Sequence, residues 1–327
     1  MYQGPSSAAE HSPSPLAFTY ALRAATEAAA LAVHGGLRRG DRAAAARAGA
    51  AAMRRELETL GLSGTLVVGE AIDASAALLP PGLALGDADS DAAFDIAADP
   101  AEGTTYMTES GVNNALSVVV VAPKGSLFRP GPAFYMEKFA GPPAVRGRID
   151  PTAPVAEKLR VLADCLDKPV SALTIYVLEK PRHRALVEAI QRAGARVALH
   201  PAGDVAGALM AAIPGSGVDA MMGTGGTPEG VIAAAAIGAL GGEFLGRINP
   251  QLNTERMAVE AAGMDTRRWL GTADMAASQA VHFCATGIAD GLLLNGVAAT
   301  PEGMCTQSLL IAGGAPGRQV VTAWRRD

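Results

Sequence analysis

Two carboxylates three positions apart, Asp99 and Glu102, stand in AADPAEGTT at 97–105, where an apolar run gives way to Gly103 and Thr104. Such a pair can share one hard divalent cation, with a backbone carbonyl between them as a further oxygen ligand. The glycine lets a phosphate approach the backbone, and the Thr104 hydroxyl can orient a water. Alone, this segment would read as an acidic surface turn. Two further segments change that reading. VVGE at 67–70 ends a second apolar run on Glu70, with Asp73 close behind, and GTGGTPEG at 223–230 reads as a glycine-rich turn opening a helix at Pro228 and Glu229. Alone, Glu229 would only offset a helix dipole. Beside the other acids it adds a third carboxylate to a helix N-terminus whose free N–H groups suit an anion.

These residues need rigid elements to bring them together. Helical composition fills 16–34 and about 43–60, with Gly35-Gly36 and Gly61 as stop signals, so two helices open the chain. Strands follow at 65–70, 94–100 and 115–123, each ending at Gly, Pro or an acid, and strand ends are where open α/β sheets place ligands. From about 150, VAEKLRVLADCL, LTIYVLE, a helix from His183 to about Ala193, RVALHP and DVAGALMAAI alternate helix with strand. Alternation of this kind predicts βαβ units and a mostly parallel sheet. AVHFCATG, TQSLLIAG and QVVTAW read as closing strands. The expected division is a tail over 1–15, a metal-binding subdomain over 16–165 and a sugar-phosphate-binding subdomain over 166–327.

Composition narrows the classes of function. The 327 residues are 49% hydrophobic but only 4% aromatic, which suits buried strands flanked by Ala-rich helices. A formal net charge of -5, with no basic cluster interleaved with aromatics, argues against nucleic acid. Cys165, Cys284 and Cys305 are widely spaced without a CxxC pair, so neither a disulfide framework nor a zinc site is predicted, and a reducing cytoplasm is expected. The start MYQGPSSAAEHSPSP lacks the basic and apolar regions of a signal peptide. Apolar runs such as 115–123 and 231–240 fall short of the roughly 20 residues that span a bilayer, so no membrane association is expected. His34, His200 and His282 lack ligand spacing and read as structural.

Read together, TEAAALA (26–32), RRGDR (38–42), VVGE, FDIAADPAEGTT, NALSVVVVAPKGSLF, FYMEKFAGPP, KPRH, RVALHPAGDVAGAL, GTGGTPEGVIAAAAI, FCATGIADG and TQSLLI resemble the class II fructose-1,6-bisphosphatases, a branch of the lithium-sensitive, metal-dependent phosphatases. The resemblance covers nearly all of the chain after the tail. It implies a layered α-β-α-β-α sandwich of the sugar phosphatase type with two packed subdomains. It also implies Mg²⁺ or Mn²⁺ held by Glu70, Asp99, Glu102 and Glu229, with Thr104 helping to activate the attacking water and Asp73 as a candidate for the catalytic aspartate. Gly103, Thr104, Tyr135, Lys180, Arg182, His183, Gly203 and Asp204 match the segments that hold the sugar and its second phosphate, and Arg182 suits that task because its planar fork can bind two oxygens. Arg42 is a possible phosphate contact. The implied substrate is a small sugar phosphate like fructose 1,6-bisphosphate, in gluconeogenesis, and relatives form dimers or tetramers.

The chain departs from the family pattern at several positions. Arg42 replaces a Lys, Ala46 stands where a metal-ligating Asp is usual, GEAIDASAA is one acid short of the usual segment, and Ala202 replaces the first Asp of a DGD loop. Fewer carboxylates weaken a second metal more than the first, so one firm metal site is expected. The same losses leave open a different ketose or nucleoside phosphate as substrate, or a non-catalytic sugar-phosphate-binding paralogue. An inositol monophosphatase-like enzyme shares DPxxGT but not YMEK, KPRH or GGTPEG. GTGGTPEG also lacks the Lys-Ser/Thr ending of a P-loop.

Overall fold

The computed structural model describes residues 15–69, 77–86, 93–104, 113–315 and 317–326. Helices α1 (Pro15–Leu37) and α2 (Arg42–Thr59) are followed by β1 (Gly64–Val68), β2 (Ala84–Leu85), β3 (Phe94–Glu102) and β4 (Leu116–Pro123). Next come β5 (Tyr135–Gly141), α3 (Val155–Leu166), β6 (Thr174–Leu178), α4 (Arg184–Arg192), β7 (Arg196–His200), α5 (Asp204–Ala212), β8 (Ala220–Gly226) and α6 (Thr227–Ala239). Then β9 (Glu243–Ile248), α7 (Asn253–Ala261), β10 (Leu270–Gly271) and the short α8 (Thr272–Met275) lead to β11 (His282–Gly287), β12 (Ala298–Thr300), β13 (Gly303–Ala312) and β14 (Arg318–Arg325). Helix α1 runs through the expected stop at Gly35 and Gly36 to Leu37, whereas α2 keeps close to its expected bounds: Asp41 caps it by accepting the Ala44 N–H at 2.8 Å, and Gly61, at φ 63°, ends it.

The strands form two sheets. One runs β12-β13-β11-β4-β3-β1-β2, with β14 along the other edge of β13; the second runs β10-β9-β5-β8-β6-β7. Period-2 alternation within each strand sorts the side chains into layers. In β4, Val119 and Val121 face the Leu22, Met53 and Leu57 side chains of α1 and α2, while Val118 and Val120 face α5 and α6. In β6, Tyr176 and Leu178 point toward those same two helices, while Ile175 and Val177 pack on Leu159, Leu162 and Ile190 of α3 and α4. The order is therefore α1/α2, first sheet, α5/α6, second sheet, α3/α4, the five layers implied by the resemblance. Ala-rich α5 and α6 are buried nearly all round, as a middle layer must be.

Two expectations need correction. The second sheet is mixed, not mostly parallel: β6 pairs parallel with β7 and β8, but β5 is antiparallel to both β8 and β9. The change of sheet does not fall at 165–166 either. Strand β5 already belongs to the second sheet, and β11, β12, β13 and β14 return to the first, where β11 pairs with β4. Helix α1, with 23 residues and a window of mean hydropathy 1.2, is also long and apolar enough to cross a bilayer. Here its apolar face packs on α2, β11 and β13, and its polar groups are engaged: Thr26 Oγ1 lies 3.2 Å from Cys284 Sγ, and Glu27 pairs with Arg23 and accepts from Thr306 Oγ1 at 3.0 Å.

Candidate active site

Asp99 and Glu102 would point to opposite faces of a regular strand, being three residues apart. Strand β3 breaks that alternation. Asp99 pairs with Val118 and Glu102 with Leu116, so two residues, Pro100 and Ala101, oppose the single Ser117. This bulge cancels one alternation. Directly opposed residues share a face, and Val118 and Leu116 both face the middle layer, so both carboxylates do too. The bulge is held by Asp99 Oδ1, which accepts the Ala101 N–H at 2.9 Å, and by Thr104 Oγ1, which donates to the Ala101 carbonyl at 2.8 Å. The sequence reading had placed the two acids in a turn; they lie on a bulged strand end, closed by Gly103 at φ 76°.

The N-terminus of α5 meets that strand end. The Asp204 N–H donates to Glu102 Oε1 at 3.1 Å, an anion on a helix N-terminus. Gly203 takes φ 88°, and a Cβ there would lie 2.6 Å from the Asn114 Cβ and 3.1 Å from the Tyr176 hydroxyl, so the approach requires glycine. Asp204 Oδ2 accepts both Lys138 Nζ at 2.6 Å and the Gly226 N–H at 3.0 Å. The lysine and aspartate side chains are 1% and 8% exposed. The segment read as a glycine-rich turn is instead the last part of β8. Its glycines make room for acids: a Cβ on Gly225 would sit 2.0 Å from Asp204 Oδ2, and one on Gly226 would sit 1.8 Å from Glu229 Oε2.

Asp99, Asp204 and Glu229 act electrostatically on Glu102, and Lys138 pairs with Asp204 and acts on Glu229, so acids from β3, α5 and α6 share one neighbourhood with the Lys138 ammonium. Burial first, then the charges of Asp99, Asp204 and Glu229, hold Glu102 well above the usual carboxylate range. Burial also raises Glu229, against the pull of Lys138. Glu102 Oε2, Asp204 Oδ1 and Glu229 Oε2 are sealed from solvent and accept no hydrogen bond from any described residue. Buried anionic oxygens without donors are costly. Oxygens in this state are hard ligands of the kind a divalent cation takes, but among the described residues no three acids stand together as a metal-holding group. Glu70 and Asp73 lie outside the described residues.

The residues expected to hold the sugar fall into two groups. Gly103, Thr104, Gly203 and Asp204 border the carboxylates. Tyr135 opposes Gly226 across β5 and β8 but faces the other side of the sheet from Lys138. There the exposed Arg182 guanidinium lies 5.0 Å from the Tyr135 ring centroid and donates through Nε and Nη2 to the Thr224 carbonyl at 3.0 and 2.9 Å. Lys180 Nζ donates to the Pro201 carbonyl at 2.7 Å. Buried His183 is committed to the backbone: Nδ1 donates to Leu178 O at 2.6 Å, and Nε2 accepts the Thr224 N–H at 2.8 Å. It positions β8 and Arg182, and both ring nitrogens are used. Arg42, the first residue of α2, is exposed. His200 stacks on Tyr176 at 4.5 Å, and His282 Nδ1 meets Thr19 Oγ1 at 2.8 Å, both structural as expected.

A family model described as bacterial fructose-1,6-bisphosphatase, glpX-encoded, matches residues 17–324. The chain belongs to this family. It is 41% identical over 301 residues, 88% of this chain and 89% of the relative, to fructose-1,6-bisphosphatase 1 class 2 of Escherichia coli strain K12. Identity and coverage are the same for the class 2 fructose-1,6-bisphosphatase of Shigella flexneri. As a member of the bacterial fructose-1,6-bisphosphatase family the chain is a sugar-phosphate phosphatase, a hydrolase of phosphoric monoesters in carbohydrate metabolism. Sequence reasoning had not singled out Lys138, although YMEK contains it. The signal was an ionisable residue between Met136 and Ala140, both on the inner face of β5.

Proposed function

We propose that the chain hydrolyses fructose 1,6-bisphosphate, with Mg²⁺ or Mn²⁺ held by Asp99, Glu102 and Glu229, joined by Glu70. The observation that carries this reading is the set of sealed carboxylate oxygens without donors at the meeting of β3, α5 and α6. When bound, the metal polarises the phosphoryl oxygens and activates the attacking water. The Thr104 hydroxyl donates its hydrogen bond to the Ala101 carbonyl, so toward that water its oxygen acts as acceptor and thereby orients it. Asp73 is the candidate to take the water's proton. Gly103 offers its backbone to the phosphoryl group undergoing hydrolysis, and Gly203 lets the start of α5 close up on Asn114 beside it. Arg182, fixed on Thr224, presents its planar fork to the second phosphate, with Tyr135 behind it and Lys180 beside it. Exposed Arg42 is a further contact for the substrate's phosphates.

Two departures support a second reading, a related ketose phosphate as the preferred substrate. Ala46 and Ala202 remove acids from the cleft side while the Asp99, Glu102 and Glu229 set is intact. Phosphate release across a sugar-phosphate panel, with each metal and with EDTA, tests both: fructose 1,6-bisphosphate should head the panel, and silence on every substrate with both metals would refute hydrolysis here. Calorimetric titration with Mn²⁺ should give one tight site; two would overturn the weakened second site. We place the enzyme in a reducing cytoplasm, in keeping with the free thiols of Cys165, Cys284 and Cys305, as a dimer or tetramer that light scattering can size.

A further inference from the structure

A glutamate in the first turn of a helix ordinarily lies at the surface and offsets the helix dipole. Glu255, in the first turn of α7, is buried instead, and its oxygens are spent on main chain outside the helix. Oε1 accepts the N–H groups of Phe134 and Tyr135, both at 2.7 Å, and Oε2 accepts the Gln251 N–H at 2.9 Å. No ion pair among the described residues includes it, so three main-chain N–H groups satisfy the buried carboxylate. The Tyr135 bond spans 120 positions of chain and is no local cap. It grips the entry to β5. Tyr135 is the first residue of that strand, and its carbonyl accepts the Asn249 N–H at 2.8 Å, so both of its main-chain groups are tied. Asn249 Nδ2 donates in turn to Thr224 Oγ1 at 3.0 Å, on the residue whose carbonyl receives Arg182. Phe134, one residue earlier, is exposed, so without the carboxylate these N–H groups would turn to water.

We propose that Glu255 is a positioning residue for the substrate's second phosphate: by holding the two N–H groups at the start of β5 it fixes the Tyr135 ring against the Arg182 guanidinium. This rests on the reading of Tyr135 and Arg182 as the second-phosphate site. Glu255 acts through Tyr135 and not on the phosphoryl group being hydrolysed, so its removal weakens binding equally in the ground and transition states, which raises KM and spares kcat. The bond to Gln251 is a separate, structural tie at the beginning of α7. The two ties use different oxygens and can be separated chemically. Glutamine keeps one acceptor oxygen and replaces the other with an NH₂ donor. With its oxygen toward the two β5 donors it preserves that grip, while its NH₂ faces the Gln251 N–H and breaks the tie within α7.

The test measures kcat and KM for fructose 1,6-bisphosphate with Mn²⁺ in the full-length protein, Glu255→Ala, Glu255→Gln, Arg182→Ala and Glu255→Ala/Arg182→Ala. Melting temperatures and amide hydrogen exchange over residues 134–141 are recorded beside them. Glu255→Ala should raise KM on the order of tenfold with kcat within about threefold of the parent, and exchange at the start of β5 should quicken. Glu255→Gln should keep KM within about twofold of the parent and slow exchange there, although it melts lower. The double variant should be no worse than Arg182→Ala, because residues acting through one contact are not additive. Should Glu255→Ala fail to fold, Glu255→Asp, whose carboxylate falls one methylene short of β5, takes its place with the same expectations. Equal rises in KM for the alanine and glutamine variants, or a full further loss in the double variant, would make Glu255 a structural residue of α7 and overturn the proposal. A raised KM in Arg182→Ala with a parental KM in Glu255→Ala overturns it alone, whereas no turnover by the parent, or an unchanged KM in Arg182→Ala, defeats the substrate reading and this proposal together.

Discussion

Lys138 is the buried ammonium that pairs with Asp204 and acts on Glu229, and its removal should be more damaging than that of any surface lysine. Lys138→Met would leave Asp204 buried without its counter-charge, which costs about 3–5 kcal/mol in comparable pairs. Chemical denaturation should show that loss, and Asp204→Asn on the same background should recover part of it. A loss under about 1 kcal/mol would mean that the pair is solvated. At this scale the sequence marked Asp99, Glu102 and Glu229 by residue type, and the charges of Asp99 and Glu229 do act on Glu102. It was least informative where a partner distant in the chain decides the role. His183 looked like a substrate ligand beside Arg182, yet the Leu178 carbonyl and the Thr224 N–H, 41 residues away, take both its nitrogens. Lys138 was passed over because its partner Asp204 is 66 residues away.

Strand β8 shows how an element can be built around the acids it carries past. Gly225→Ala puts a methyl group 2.0 Å from Asp204 Oδ2, and neither β8 nor the start of α5 can retreat without disturbing the Gly226 N–H bond. The variant should lose phosphatase activity on the order of a hundredfold while stability falls only about 1–3 kcal/mol. Gly241→Ala, in an open turn at φ 77°, is the control: its cost is backbone strain, and activity per folded molecule should not change. Full activity in Gly225→Ala would show that Asp204 needs no such close seat. The glycines had suggested a turn because glycine usually interrupts strands. Here their missing side chains are what the acids need, a tertiary reason invisible to local propensity. Helices α1 and α2 were legible from composition, but of their stop signals only Gly61 ended a helix, since α1 runs through Gly35 and Gly36. The antiparallel β5 and β9 were not, because regular βαβ alternation hides strands that pair with neighbours far along the chain.

Titration acts on the whole molecule. His34, His183, His200 and His282 all sit below their ordinary pKa, chiefly through burial. Unfolded, each titrates near 6.5; folded, each takes its proton only at lower pH. The unfolded state therefore binds more protons below about pH 6.5, so these groups' contribution is full above that pH and is lost as pH falls. Glu102 and Glu229 have the opposite sign. Raised when folded, they favour the native state below their unfolded value of 4.5 and lose that contribution as pH rises through their folded pKa values. Melting curves in EDTA should therefore decline on both sides, and Mg²⁺ or Mn²⁺ should lift the alkaline side most, since metal competes with protons for the same oxygens. Equal stabilisation at every pH would contradict binding by these acids. One topological feature has a further cost. Because β11 is seated between β4 and β13, a nascent chain on the ribosome carries β4 with an unpaired edge until residues near 287 emerge. That exposed ladder is the form in which chains stick to one another, so slow translation or heat stress during synthesis threatens this protein more than heat applied to the finished one, and demand for chaperones should be concentrated in that interval.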